Sequence, residues 1–206
     1  LIVDEGDPFS TLLVNKSINE IKARNIFGKV DYEVSDGSSN DLKVINISVE
    51  EQATGEIVAG AGVGTDGTSF MFSVKENNWL GRGVKLESTL NLSEEKVSGN
   101  ILVNNPNYNY SGNSAFVSLD VSSTDRSNSS GFRSSKTGFD IGTSFEQYEN
   151  FYVAPNLSLA FEDIEVDDTA STAVKNMEGN FFNVDLGYKL VKDDRNQKYK
   201  PTRGKK

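Results

Sequence analysis

Ser114-Ala115-Phe116-Val117-Ser118-Leu119-Asp120-Val121 sets Ala115, Val117, Leu119 and Val121 on alternate positions, with Ser118 and Asp120 between them. A period of two residues is that of a β-strand with unlike faces. The same device occurs eight times between residues 54 and 191, each run ending in a cluster of Gly, Asn, Asp or Ser. Upstream the apolar sets are Ile57, Ala59, Ala61, Val63; Phe70, Phe72, Val74; Val84, Leu86, Leu90, Leu92; and Val97, Ile101, Val103. Downstream they are Phe139, Ile141, Phe145; Phe151, Val153, Leu157, Leu159, Phe161; and Phe182, Val184, Leu186, Tyr188, Leu190. Between them stand Gly60, Gly62, Lys85, Glu87, Asn91, Asn100, Asp140, Asn183 and Asp185. Strands of roughly ten residues with one apolar and one wet face are the pattern of a transmembrane β-barrel.

A soluble β-sandwich alternates in the same way, with its apolar face turned inward. The connections favour the barrel. The two longest polar ones, 122–135 and 162–179, are the fifth and seventh and so emerge at one end. The even connections are tighter and carry Trp79, then Tyr108 and Tyr110, then Tyr148 and Tyr152, as expected of an aromatic girdle at a membrane interface.

Composition sets the limits. A mean hydropathy of -0.45 and the lack of any apolar run near eighteen residues exclude membrane-spanning helices, while a barrel hides its apolar residues on alternate positions. A net charge of -9 argues against nucleic acid, which needs a basic face. With no cysteine and no histidine, thiol chemistry and the commonest general base and metal ligand are gone, so no enzyme and no cofactor is expected.

The first fifty residues differ. Asp7 is placed to cap a helix opening at Pro8, with Val14, Ile18 and Ile21 on one face and Asn25 in the left-handed position that ends it. Strands are expected at 29–34 and 41–51, joined by the turn 35–40. One helix over one hairpin buries too little to stand alone, so more chain upstream is expected.

Glu50-Glu51-Gln52-Ala53-Thr54-Gly55-Glu56-Ile57, running into Gly60-Ala61-Gly62-Val63-Gly64-Thr65-Asp66-Gly67, resembles the junction of the last POTRA domain and first barrel strand in the BamA family of outer-membrane β-barrel assembly factors. Glu76-Asn77-Asn78-Trp79-Leu80-Gly81, Asn105-Pro106, and Asp194-Arg195-Asn196 leading to Pro201-Thr202-Arg203-Gly204 agree in order and spacing. Upstream, Glu5-Gly6-Asp7-Pro8-Phe9 and Asn25-Ile26-Phe27 match a POTRA start and helix end, with Asn25 where the family usually has Gly.

The resemblance covers essentially the whole chain and implies an internal fragment: the C-terminal part of a POTRA domain at 1–52, in the periplasm, then the N-terminal half of an antiparallel barrel at 53–206. The fold class is therefore mostly β, preceded by the end of an α+β domain. The implied activity is insertion of unfolded β-barrel proteins into the Gram-negative outer membrane. The first barrel strand, Glu56, Ile57, Val58, Ala59, Gly60, Ala61, Gly62, Val63 and Gly64, would serve as a template for an incoming strand. Glu5 matches the POTRA glutamate that contacts the lipoprotein BamD. The lipid bilayer is the remaining partner. Related POTRA-barrel transporters and a passive pore are the competing readings, though a pore leaves the POTRA-like segment unexplained.

Rival motifs weigh less. Gly62-Val63-Gly64-Thr65-Asp66-Gly67 satisfies the dinucleotide fingerprint, but a strand and not a helix follows, so no helix N-terminus awaits a pyrophosphate. Six N-x-S sequons, from Asn15 to Asn156, suit an Asn- and Ser-rich composition. Glu162, Asp163, Glu165, Asp167 and Asp168 lack EF-hand spacing and read as a solvated loop.

Overall fold

The computed structural model describes residues 3–39, 41–64, 67–195 and 202–206, in two compact units, 1–55 and 56–206. The tail motif at 196–201 lies outside the described residues, as do Thr65 and Asp66.

In the first unit a helix, α1 (Thr11–Ala23), packs on the hairpin β1 (Phe27–Asp36) and β2 (Lys43–Glu51). Val14 and Ile18, one turn apart on α1, bury against Val30 of β1, with Ile21, Phe27, Ile45 and Ile47 around them. Each such side chain contributes about 1.5–3 kcal/mol when fully withdrawn from water. The helix starts later than the Asp7–Pro8 pair suggests. Ser10 is the cap, its hydroxyl accepting the Leu13 N–H at 3.5 Å, while the Asp7 carboxylate turns back to accept the Asp4 N–H at 3.0 Å. Asn25 does take the left-handed backbone (φ 55°) beyond the helix.

The second unit is one antiparallel sheet of eight strands joined in sequence order: β3 (Gly55–Gly64), β4 (Gly67–Trp79), β5 (Val84–Ser93), β6 (Lys96–Asn105), β7 (Ser114–Arg126), β8 (Phe132–Tyr148), β9 (Phe151–Val166) and β10 (Gly179–Lys192). Register carries the alternation across strands. Val74, Ser88, Ile101, Leu119, Phe139, Leu159 and Val184 lie opposite one another in turn, making a largely apolar row from β4 to β10. On the other face Lys75, Glu87, Leu102, Ser118, Asp140, Ser158 and Asp185 align in the same way. A one-residue slip between any two strands would mix the faces, so the pattern itself specifies the pairing.

Exposure is inverted relative to a soluble sheet. The apolar rows are bare, from Phe70 and Phe72 through Leu119 and Ile141 to Leu186, whereas Ser73 and Ser118 on the polar face are buried. Side chains on the polar face meet and bond: Lys75 Nζ to Glu87 Oε1 at 3.3 Å, Ser73 Oγ to Thr89 Oγ1 at 3.1 Å, Asn100 Nδ2 to Asp120 Oδ1 at 2.7 Å. Polar groups converge and apolar groups splay, as on the two sides of a curled wall.

Two connections are shorter than the sequence suggests. β7 continues to Arg126 and β8 begins at Phe132, so most of 122–135 is strand, and β9 carries Glu162, Asp163 and Glu165 before the connection 167–178, which holds the one-turn helix α2 (Thr172–Lys175). Polar residues on both faces hid the extensions at 122–126 and 133–136, and at 162–166 the apolar Ile164 and Val166 fall on the parity opposite to Phe161. Pairing of Lys136 with Glu162 and of Arg133 with Glu165 holds the acidic segment in the ladder, and strand alternation divides its carboxylates between faces. Connection length consequently does not sort the two ends, since the fourth connection, 106–113, exceeds the fifth.

Candidate functional site

The nine residues expected to template an incoming strand, Glu56 to Gly64, all fall in β3, and β3 forms one edge of the eight-stranded sheet. β4 covers one side of its backbone; no strand covers the other side among the described residues. Every second residue of an antiparallel edge strand points its N–H and C=O outward, and natural edges are usually blunted by Lys, Pro, bulges or shortness. β3 has no Lys and no Pro, is ten residues long, and carries Glu56 as its only charge. Its composition leaves it able to pair.

Its two faces follow those of the wall. Ser69 Oγ donates to the Gly62 carbonyl at 3.4 Å, and a Cβ at Gly60 would stand 3.9 Å from the Met71 methyl, so Gly60 and Gly62 share the polar face with Ser69 and Met71. Alternation then puts Gly64 and Val58 on that face and Ile57, Ala59, Ala61 and Val63 on the apolar one, where Ile57 and Val63 are exposed. With glycine at three of the polar-face positions, the edge presents backbone more than side chain.

The aromatics gather at the even connections. Trp79 pairs with Val84 at the end of β4 in the apolar-face rows, beside a turn fixed by the Asn78 carboxamide, whose Oδ1 accepts the Gly83 N–H at 2.7 Å. Tyr108 and Tyr110 stand on the 106–113 connection between β6 and β7, both exposed, with Asn107 Oδ1 accepting the Gly112 N–H at 2.8 Å. Tyr148 ends β8, its ring centroid 6.3 Å from that of Phe151. Tyr152 departs from expectation: it pairs with Glu146 and Val191, positions of the polar-face parity, so it sits apart from the apolar-side belt. The alternation of Phe151 and Val153 around it already sets Tyr152 on that face; the bulge between Glu146 and Tyr148 lies past the Glu146–Tyr152 pair and leaves its parity unchanged. Phe151 and Tyr188, on the apolar-face parity, supply aromatic surface in its place.

Glu5 lies exposed on the turn before α1, where Asp7 N–H donates to the Asp4 carbonyl at 3.2 Å and Gly6 takes a positive φ of 94°. The carboxylate thus projects from a folded turn. Among the described residues no cluster of acidic side chains is close enough to hold a metal ion, and no helix is long and apolar enough to cross a membrane.

Comparison with known proteins gives the following. A sequence profile of the Omp85 superfamily domain matches residues 78–206. The outer membrane protein assembly factor BamA of Nitratidesulfovibrio vulgaris is 24% identical over 211 residues, covering 98% of this chain and 25% of the relative. A putative outer membrane protein assembly factor of Treponema pallidum is 31% identical over 104 residues, 48% of this chain and 12% of that protein. Among solved structures, that of BamA from Haemophilus ducreyi lacking POTRA domains 1-3 superimposes with a TM-score of 0.73 at 19% identity, covering 97% of this chain and 41% of that one. At that identity the likeness establishes the fold. The chain spans about a quarter of the length of the curated relative it matches from end to end.

Proposed function

Because the chain belongs to the Omp85 superfamily, we propose that it forms part of an outer-membrane assembly factor that folds and inserts other β-barrel proteins, with β3 as the templating strand. The superfamily's barrel assembly factors are not enzymes. The observation that carries the proposal is the unblunted edge of β3 on a wall whose apolar face is turned outward.

The physics is that of strand addition. A strand entering hydrocarbon with unpaired N–H and C=O groups loses several kcal/mol for each. Pairing with an outward-facing edge removes that cost one residue pair at a time and requires no ATP. The register is set by alternation, since a slip of one residue would turn the client's apolar side chains to the lumen. The glycines of β3 leave the lumenal side of the new pair uncrowded.

Within this proposal residues 1–52 are the end of a periplasmic POTRA domain, and Glu5 offers a carboxylate to a lipoprotein partner such as BamD. Residues 53–206 span the outer membrane of a Gram-negative cell. The test is proline scanning of β3 in the full-length protein, reconstituted in bilayers with an unfolded client barrel. Proline removes one N–H, so positions whose amide faces outward should slow client folding while their neighbours disturb β3–β4 pairing instead. Val58, Gly60 and Gly62 should therefore differ in kind from Ala59 and Ala61. Normal client assembly by every correctly folded proline variant would refute the role.

A further inference from the structure

Two adjacent carboxylates, Glu94 and Glu95, form the turn between β5 and β6 and reach in opposite directions. Ser93 fixes the turn, its hydroxyl accepting the Lys96 N–H at 3.1 Å and donating to the Lys96 carbonyl at 3.0 Å. Glu94 reaches toward the first hairpin of the wall: its Oε1 accepts the Thr68 N–H at 3.2 Å. The β4–β5 ladder ends at Ser69 opposite Ser93, so this bond adds a rung beyond it. Gly67 makes the approach possible. A Cβ there would stand 2.5 Å from Glu94 Cδ, and its φ of 82° is one that other residues rarely adopt.

Glu95 reaches the other way. Its Oε2 accepts Arg126 Nε at 2.9 Å, and its carbonyl accepts the Asp125 N–H at 2.8 Å, both on β7. Beyond β7, the Gly131 carbonyl accepts the Asp167 N–H at 2.8 Å. Hydrogen bonds thus link the four hairpin tips at this end in order, from the edge hairpin to the β9–β10 loop.

We propose that Glu94 is a positioning residue that pins the β3–β4 hairpin to the rest of the wall and so fixes the register in which the β3 edge is presented to an incoming strand. The proposal rests on the templating role given to β3. It assigns to the β5–β6 turn a part in that role which contact with the client does not require. Glutamine at this position retains an oxygen able to accept the Thr68 N–H; alanine does not.

The test uses the full-length protein in bilayers, unchanged or with Glu94→Ala or Glu94→Gln. Hydrogen exchange in peptides covering 56–72 should quicken about five- to tenfold in Glu94→Ala, as expected for loss of one charge-assisted bond at a fraying end, while β7 and β8 stay unchanged. Glu94→Gln should remain near the native rate. Cross-links between single cysteines in β3 and a client's terminal strand should spread over several registers in Glu94→Ala and stay in one in Glu94→Gln. Unchanged exchange in Glu94→Ala, or a single register despite a loosened hairpin, would overturn the positioning role and leave templating intact. Absence of client cross-links in the unchanged protein would instead overturn templating, and the exchange result alone would then decide whether Glu94 pins the hairpin.

Discussion

Ser118 and Leu119 are neighbours on β7 that face opposite ways, and it is the serine that is buried, at 8% exposure, and the leucine that is bare, at 44%. The Ser118 hydroxyl donates to Asp140 Oδ2 of β8 at 3.1 Å, so the buried polar group is satisfied inside the wall. Leu119 lies in the apolar row between Ile101 and Phe139. In water this arrangement gives up the burial of an entire apolar face; in a bilayer it is the arrangement of lowest free energy.

Without detergent, the isolated chain should therefore aggregate, its apolar rows and open strand edges seeking partners. Size-exclusion chromatography after refolding in micelles should recover a discrete species. A monodisperse monomer melting cooperatively in plain buffer would mean that a second layer covers the apolar rows.

Arginine should distinguish the faces energetically. Leu86→Arg and Val117→Arg, in the row that runs through Val103 and Ile141, should each cost about 2–4 kcal/mol in the full-length protein refolded into bilayers. Asn100→Arg, placed opposite Asp120, should cost much less. Ser118 is a poorer probe of the polar face than its sequence position suggests, because the site is already packed. Equal costs on the two faces would contradict the register.

Depth-dependent quenching should separate Trp79 from Tyr152. In a background lacking other tryptophans, Trp79 fluorescence should be quenched most by lipids brominated near the headgroup, as for an interfacial residue. Trp79→Phe combined with Tyr152→Trp should move the fluorophore to the polar face and weaken quenching by lipid. Equal quenching of the two would return Tyr152 to the belt.

These contrasts mark where sequence was sufficient. In the zone containing Leu119 and Phe139 the alternation is complete, and strand identity, order and facing were all legible. At Ser122 to Asp125 and Arg133 to Lys136 both faces are polar, so nothing local distinguishes a projecting strand from a loop; only the partner strand's register does. Tyr152 was misread from its nearness to the sixth connection, although Phe151 and Val153 on either side of it already set it on the opposite face. The start of α1 was misread because Asp7 and Ser10 are both competent caps, and the turn at Asp4 to Asp7 claims the aspartate. The edge position of β3 follows from its being the first strand of the wall, whereas the Glu94 contact with Thr68 is invisible without coordinates.

The segment after β10 should respond to acid in a narrow window. Arg195 bonds both carboxylate oxygens of Asp193, at 2.7 and 2.6 Å, and holds its pKa down to about 2 from an ordinary 3.8. A depressed carboxyl contributes stability that is present above its unfolded value and lost as pH falls through the folded one, here between 3.8 and about 2. Carboxyl carbon NMR should show Asp193 titrating below exposed aspartates, and Arg195→Gln should return it to their range. Titration of Asp193 together with those aspartates in the unmodified protein would contradict the ion pair.

The templating role of β3 is tested most directly by disulfide mapping. Single cysteines are placed at each position from Glu56 to Gly64 of the full-length protein, in a background free of other cysteines, against single cysteines along the terminal strand of a client arrested during assembly. The account predicts cross-links in one antiparallel register, each β3 position trapping one client position. No cross-link at any position in a folded, membrane-inserted protein that still assembles its clients would contradict it.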